Sequence, residues 1–310
     1  EKVDSLELSF ENFGHSGDFR ATFFAQDVKD ALLSTLGVLD ATQPNVYYSY
    51  WQNVKKVRNF GVELYTNQKN VLVHGLDINY PQISPHTFYH CDITHQFELP
   101  EEFDSVIHLA AKVNVGESEQ IPIKYYITNL NGTMNVVNKI RTKNFIFAST
   151  GAAEGCASPY GISKRAAEDV VKEYCTVHRP IPYTTFRFYN VIGSDGFDPT
   201  NPDGLMYNLL KAKDTEEFTI FGNDYTESWD GTCVRDYVHV LDIAEAHLVA
   251  AEKCAKLDAG SYSAYNIGTG QGHSNKEVLS MCSRVVGSEI LYQFGPKRLG
   301  DPDELVASSS

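Results

Sequence analysis

Tyr160 and Lys164 stand four residues apart in the segment SPYGISKRAAED, a spacing that puts both on one face of an α-helix. A phenol and an ammonium so placed can work as a base, because the cation favours phenolate over phenol and draws the tyrosine pKa from about 10 toward neutrality. The spacing alone is not distinctive: Tyr65 with Lys69 and Tyr207 with Lys211 repeat it in a chain of 18 tyrosines. Tyr160 differs in its setting, since Ser158 is a good N-cap and Pro159 suits the first helical position, so the helix begins at the tyrosine. The competing reading is an amphipathic helix with an apolar stripe of Ile162, Ala166, Val170 and Tyr174 that leaves Tyr160 and Lys164 facing water.

The elements that must position this pair are legible from residue 69 onward. KNVLVHGLD, TFYHCDIT, SVIHLAAK, KNFIFAST and YTTFRFYNV are short β-branched and aromatic runs that read as buried strands. Helical stretches at 128–141 and 158–178 alternate with them, which predicts an α/β fold with a doubly wound, Rossmann-like parallel sheet. Ser149 and Thr150 close one of these strands, and ligands bind at the carboxyl ends of such strands. After FYNVIG the texture changes to a loop rich in Asp, Gly and Pro, followed by short pieces that suggest a smaller C-terminal lobe. Near the N-terminus SLELSF reads as a strand and AQDVKDALLSTL as a helix.

With 310 residues and 42% hydrophobic content the chain can bury a large core. Its formal charge of −14 argues against nucleic acid or an anionic membrane as partner, so an anionic ligand must be held by local cations and backbone N–H groups. No run of about 18 apolar residues and no signal peptide is present, which points to the cytoplasm. The six cysteines form no C-x-x-C step and the ten histidines no H-E-x-x-H, so buried free thiols and no metal are expected.

HLAA after a strand, TNLNGT, FASTGAA, SPYGISKRAAED and RFYNVIG come in an order that resembles the extended short-chain dehydrogenase/reductase family. IFGNDYTESWDGTCVRDYVHVLDIAEAH and GPKRLGDPDELVAS are similar to its UDP-glucose 4-epimerase group. The resemblance runs from about residue 53 to 310 and implies NAD as cofactor, a UDP-sugar as substrate and inversion at the sugar 4-position. It implies Tyr160 as acid/base, Lys164 as its pKa-lowering and ribose-holding partner, and Thr150 as the hydroxyl that bonds the sugar. Asp77 matches the acceptor for the adenosine ribose, Asp92 and Ile93 the pair beside the adenine, and Ala110, Ala111 and Asn129 the lining of the cofactor pocket. Asn190, Phe221, Arg235, Arg298 and Asp301 match positions that hold the nucleotide-sugar, and arginine suits a diphosphate because its fork makes paired bonds. The implied layout is an unassigned segment at 1–52, a dinucleotide-binding core at 53–192 and mainly the sugar lobe at 193–310, shortened at its C-terminus. The family also implies a homodimer built on the helices near 116–141 and 158–178.

Several features depart from that pattern. A dinucleotide fold uses a glycine-rich turn at a helix N-terminus for the pyrophosphate, yet about 20 residues before Asp77 stands NVKKVRNFGVELY, with Gly61 alone. This stretch resembles a first strand and helix joined with the turn removed. Gly268, Gly270 and Gly272 belong by position to the substrate side, and Gly14 with Gly17 lack a surrounding strand and helix. Only nine residues separate Thr150 from Tyr160. Leu305 stands where the family often has a bulkier residue, which would widen acceptance toward N-acetylated sugars. Two alternatives stay open: a nucleotide-sugar-binding homologue without catalysis, and a nucleotide-sugar dehydratase or reductase, against which Gly151 and Ala152 replace an Asp-Glu pair.

Overall fold

The computed structural model describes the backbone over residues 3–14, 17–38 and 47–66, and the chain over 73–78, 87–193, 205–215 and 218–308. β1 (Val3–Gly14), β2 (Gly17–Val38) and β3 (Tyr47–Thr66) form a three-stranded antiparallel sheet of their own. Two expectations are corrected here: AQDVKDALLSTL runs inside β2 rather than as a helix, and residues 53–65 run as one strand inside β3 rather than as strand and helix. The two strands pair from Phe19 opposite Thr66 to Val38 opposite Tyr47, and this ladder serves the backbone groups that a helix would satisfy internally.

The remaining elements follow in chain order. β4 (His74–Asp77) and β5 (Thr87–His90) form a parallel pair. Next come β6 (Glu102–Phe103), β7 (Val106–His108), α1 (Val115–Gln120), α2 (Pro122–Tyr125), a wider π-type turn (Tyr126–Asn131) and α3 (Gly132–Lys139). β8 (Arg141–Thr142), β9 (Phe145–Thr150), α4 (Ala152–Gly155), α5 (Pro159–Glu173), β10 (Tyr183–Phe188) and β11 (Asn190–Ile192) complete the core region. Then follow α6 (Leu205–Thr215), β12 (Phe218–Phe221), β13 (Val234–His239), α7 (Val240–Cys254) and β14 (Tyr262–Ile267). β15 (Gly272–Ser274), α8 (Asn275–Val286), β16 (Tyr292–Gly295) and β17 (Glu304–Leu305) end the chain.

The main sheet has the order β14-β10-β9-β7 and is parallel throughout. β9 explains why it is wound on both faces: all six residues of FIFAST are buried. Phe145 and Phe147 pack with Val136 and Val137 of α3 and Ala167 and Val171 of α5, while Ile146 turns to the other face with Phe186 of β10 and Ala250 of α7. A continuous apolar run buried on both sides is what a central parallel strand requires, and each such side chain removed from water contributes about 1.5–3 kcal/mol. A second apolar cluster brings Leu209 and Ala212 of α6 together with Phe218 and Ile220 of β12, Val278 and Leu279 of α8, and Ile290. Among the described residues no helix is long and apolar enough to cross a membrane.

Candidate active site

α5 starts as its sequence dictates. Ser158 has an extended backbone and its hydroxyl accepts from Gly161 N at 3.2 Å, with Pro159 in the first turn. The face turned inward is Tyr160, Ser163, Lys164, Ala167, Glu168 and Val171. Tyr160 is only 9% exposed and Lys164 3%, whereas Ile162 is 41% exposed. The reading of α5 as a helix that shows tyrosine and lysine to water is thereby overturned. Gly161 makes the short connection from Thr150 possible, since a Cβ there would lie 2.4 Å from the backbone oxygen of Ala152 on α4.

Thr150 and Tyr160 lie together at the carboxyl end of β9, and Lys164 lies over Phe147 of the same strand. The Thr150 hydroxyl neighbours the Tyr160 phenol and accepts from Ala152 N at 3.2 Å. The ring of Tyr125, fully buried, meets Tyr160 edge-on at 6.3 Å, and its own hydroxyl donates to Glu117 at 2.8 Å. Lys164 directs its ammonium over the Phe147 ring, 4.3 Å from the centroid. One expectation is corrected at this point. Burial pushes the Tyr160 phenol up, with the Thr150 hydrogen bond opposing, and Lys164 does not draw it toward neutrality. The reason lies in Lys164 itself, which burial pulls down to about 7 against the attraction of Glu168, and whose charge sits against an aromatic face of β9.

The residues matched to the cofactor lie at the carboxyl ends of parallel strands in two sheets, the β4–β5 pair and the main sheet. Asp77 ends β4, Asp92 and Ile93 follow β5, and Ala110 and Ala111 follow β7. Asp92 accepts from Thr94 N at 2.8 Å and Thr94 Oγ1 at 2.7 Å; burial works against its charge, but these bonds outweigh it and hold the carboxyl below its ordinary value. Ile93 turns into the core, where a Cβ at Gly132 would come within 2.6 Å of it. Asn129 is buried with its carboxamide committed to Lys112 N, Lys112 O and Ser163 Oγ at 2.7, 2.9 and 3.0 Å, so it clamps the strand end to α5 by side-chain bonds within the protein.

The residues matched to the nucleotide-sugar form a second group. Arg235 on β13, 6% exposed, donates to Asp301 at 2.6 Å and stands opposite Leu305 of β17. The Arg298 guanidinium lies over the Phe221 ring at 4.1 Å, and Asn190 opens β11 opposite Tyr237. Sequence reasoning missed two features. Glu168, one turn beyond Lys164, carries an ion pair with Arg187 at 2.7 Å; the i, i+4 spacing from Lys164 was the available signal. Asp236 is fully buried and fills the glycine turn at 268–272, accepting from Thr269 N, Thr269 Oγ1 and Gly270 N at 2.8, 2.6 and 2.8 Å and from Ala307 N at 3.2 Å. That turn is therefore closed by the chain's own carboxylate and does not serve as a pyrophosphate cradle. The carboxylates at the strand ends and the small residues after β7 suit an adenosine and a nicotinamide ribose, while no glycine-rich phosphate turn lies among the described residues.

Residues 62–268 match the model of the NAD dependent epimerase/dehydratase family. The UDP-glucose 4-epimerase of Halalkalibacterium halodurans is 36% identical over 73% of this chain and 75% of its own length. That of Lactobacillus helveticus is 35% identical over 72% of this chain and 75% of its own. Among solved structures, UDP-glucose 4-epimerase from Bifidobacterium longum in complex with NAD+ and UDP superposes with a TM-score of 0.63 at 29% identity, covering 73% of this chain and 75% of that one.

Proposed function

The chain belongs to the NAD dependent epimerase/dehydratase family, and from that premise we propose that it inverts the 4-hydroxyl of a UDP-hexose, interconverting UDP-glucose and UDP-galactose, with Tyr160 as acid/base. The observation that carries this reading is the buried face of α5, with Tyr160 next to Thr150 at the end of a central parallel strand and Lys164 over Phe147 of the same strand. NAD, when bound, would supply reversible hydride acceptance at the sugar carbon. Asp77 and Asp92 would hold the adenosine end, and Ala110 and Ala111 leave room for the dinucleotide. Tyr160 takes the proton of the sugar 4-hydroxyl and later gives it back, the role of a positioned general base and acid. Thr150 orients that hydroxyl through its contact with the phenol. Lys164 would hold the ribose hydroxyls of the dinucleotide with its buried ammonium. Arg235 and Arg298 receive the diphosphate, Phe221 lies against the uracil ring, and Asn190 and Asp301 fix the remaining polar groups of the nucleotide-sugar. Leu305 leaves space for an N-acetylated sugar.

A homodimer in the cytosol fits the same reading. Ile123, Ile127, Met134 and Ile162 are 67%, 42%, 47% and 41% exposed on the helices expected to pair, and all six cysteines are free thiols, as a reducing compartment maintains. A division between a dinucleotide-binding core up to residue 192 and a sugar lobe at 193–310 is supported by the separate apolar clusters around β9 and around β12, although residues 53–66 belong to the antiparallel sheet and not to that core. The test is conversion of UDP-galactose to UDP-glucose by purified protein with NAD, followed by nuclear magnetic resonance of the sugar anomeric protons. Tyr160→Phe should lower turnover by about 10²-fold or more. Wild-type protein without conversion, or a phenylalanine variant that keeps it, would overturn the assignment.

A further inference from the structure

Glu168 is 6% exposed and lies one helical turn beyond Lys164 on the inward face of α5. Two neighbouring strands hold its carboxylate. Ser149 of β9, the residue before Thr150, donates Oγ to Oε1 at 2.5 Å. Arg187 of β10, in register with Ser149, donates Nε at 3.0 and 3.3 Å and NH2 at 2.7 Å. The same guanidinium donates NH1 to Glu154 of α4 at 2.9 Å, and Glu154 accepts the Tyr189 hydroxyl at 3.2 Å. The elements that carry Thr150 and Tyr160 are thus tied through one carboxylate that touches neither.

We propose that Glu168 is a positioning residue that acts through Lys164: fixed by Ser149 and Arg187, it keeps the buried ammonium charged and α5 seated on β9. The proposal rests on the roles given above to Tyr160 and Lys164. The groups that face Lys164 are few. On its own helix it is Glu168; on β9 it is the Phe147 ring; on β7 it is His108. His108 is neutral, held near 3 by burial and then by the Lys164 charge. Its Nε2 donates to Thr133 Oγ1 at 2.9 Å, because that hydroxyl gives its own proton to Asn129 O at 2.6 Å. Glu168 is faced in turn by Arg187, by Ser149 and by Tyr262 of β14. Glu168 is therefore the group in this set that favours the charged lysine, and Arg187 tempers its pull.

The experiment is a carbon-13 titration of the full chain labelled at the lysine ε-carbons, with the Lys164 resonance identified by its loss in Lys164→Met. Glu168→Gln should lower the Lys164 midpoint by about one pH unit or more, as removal of a nearby opposite charge does, and Glu168→Asp should restore most of it. Ser149→Ala removes one donor from the carboxylate and should move the midpoint the other way, so it decides the matter if the glutamine variant does not fold. In the epimerase assay the alkaline limb of kcat/KM should follow these midpoints in both directions. An unchanged midpoint in Glu168→Gln, or in Ser149→Ala where the former is unfolded, refutes the proposal. Midpoints that shift in a protein without epimerase activity would leave Glu168 as assigned and remove the role of Tyr160.

Discussion

Replacing Gly161 by alanine sets two effects against each other. In an ordinary helix the change is favourable by about 1 kcal/mol, because alanine is the better helix former. Here the added Cβ would lie 2.4 Å from the backbone oxygen of Ala152 and 3.1 Å from its carbonyl carbon. Backbone cannot swing aside as the end of a side chain can, so α4 and α5 must separate by roughly 1 Å to reach ordinary contact. Overpacking of this kind costs about 1–3 kcal/mol, which exceeds the helix gain, and the net sign is destabilising. Thr150 lies just before α4 and Tyr160 just before residue 161, so the same shift opens the hydroxyl pair. A misplacement near 1 Å can cost about 10²-fold in rate. Urea denaturation should show a lower midpoint, and UDP-galactose conversion a fall in kcat larger than the stability change alone explains. An alanine variant that is more stable than wild type and equally active would refute the close approach of the two helices.

Three other outcomes follow from the buried charges and one strained turn. Arg187→Met leaves Glu168 buried with Ser149 as its remaining bond, and should cost about 3 kcal/mol in chemical denaturation, with recovery when Glu168→Gln is added. Burial holds the folded Lys164 near 7, below its ordinary 10.5, so between these values the unfolded chain binds more protons. The stability contribution of this site is therefore lowest below pH 7 and rises above it by up to about 1.4 kcal/mol per pH unit. The stability difference between wild type and Lys164→Met should climb from pH 7 to 9, and a flat difference would show the ammonium to be solvated. Cys156 ends α4 in the left-handed region at φ 48°, a conformation that costs a side chain about 1–2 kcal/mol and glycine almost nothing. Cys156→Gly should raise the denaturation midpoint, and a lowered one would mean that its Sγ contact to Ala153 O at 3.2 Å matters more.

Much of the core was readable because its signals are local. The FIFAST run, the Ser158-Pro159 start and the hydroxyls at a strand end each follow from residue type and period, and the structure has all of them where expected. The direction of α5 was not readable in the same way. Its sequence offers two faces, Ile162 with Ala166 and Tyr160 with Lys164, and only packing against β9 decides that the polar one goes inward. The tyrosine pKa was misjudged for a related reason: spacing on a helix shows that a cation is near, but not that burial removes much of its charge. Asp236 was invisible because its partners at residues 269, 270 and 307 are far away in the sequence. SLELSF lies in β1 as its alternation suggests, but the segments in β2 and β3 were misread because their pairing is set by a partner strand, not by local propensity.

The carboxylate of Asp236 has a bearing on how this lobe could be altered. It stitches the strand of Arg235 to the loop after β14 and to the tail at Ala307, so the wall proposed for the nucleotide-sugar is held in place by the chain itself. Side chains along the tail, Leu305 foremost, can then be exchanged for larger or smaller ones with the arginine left where it stands. On the proposed function, changes in sugar preference would be separable from loss of affinity for the diphosphate.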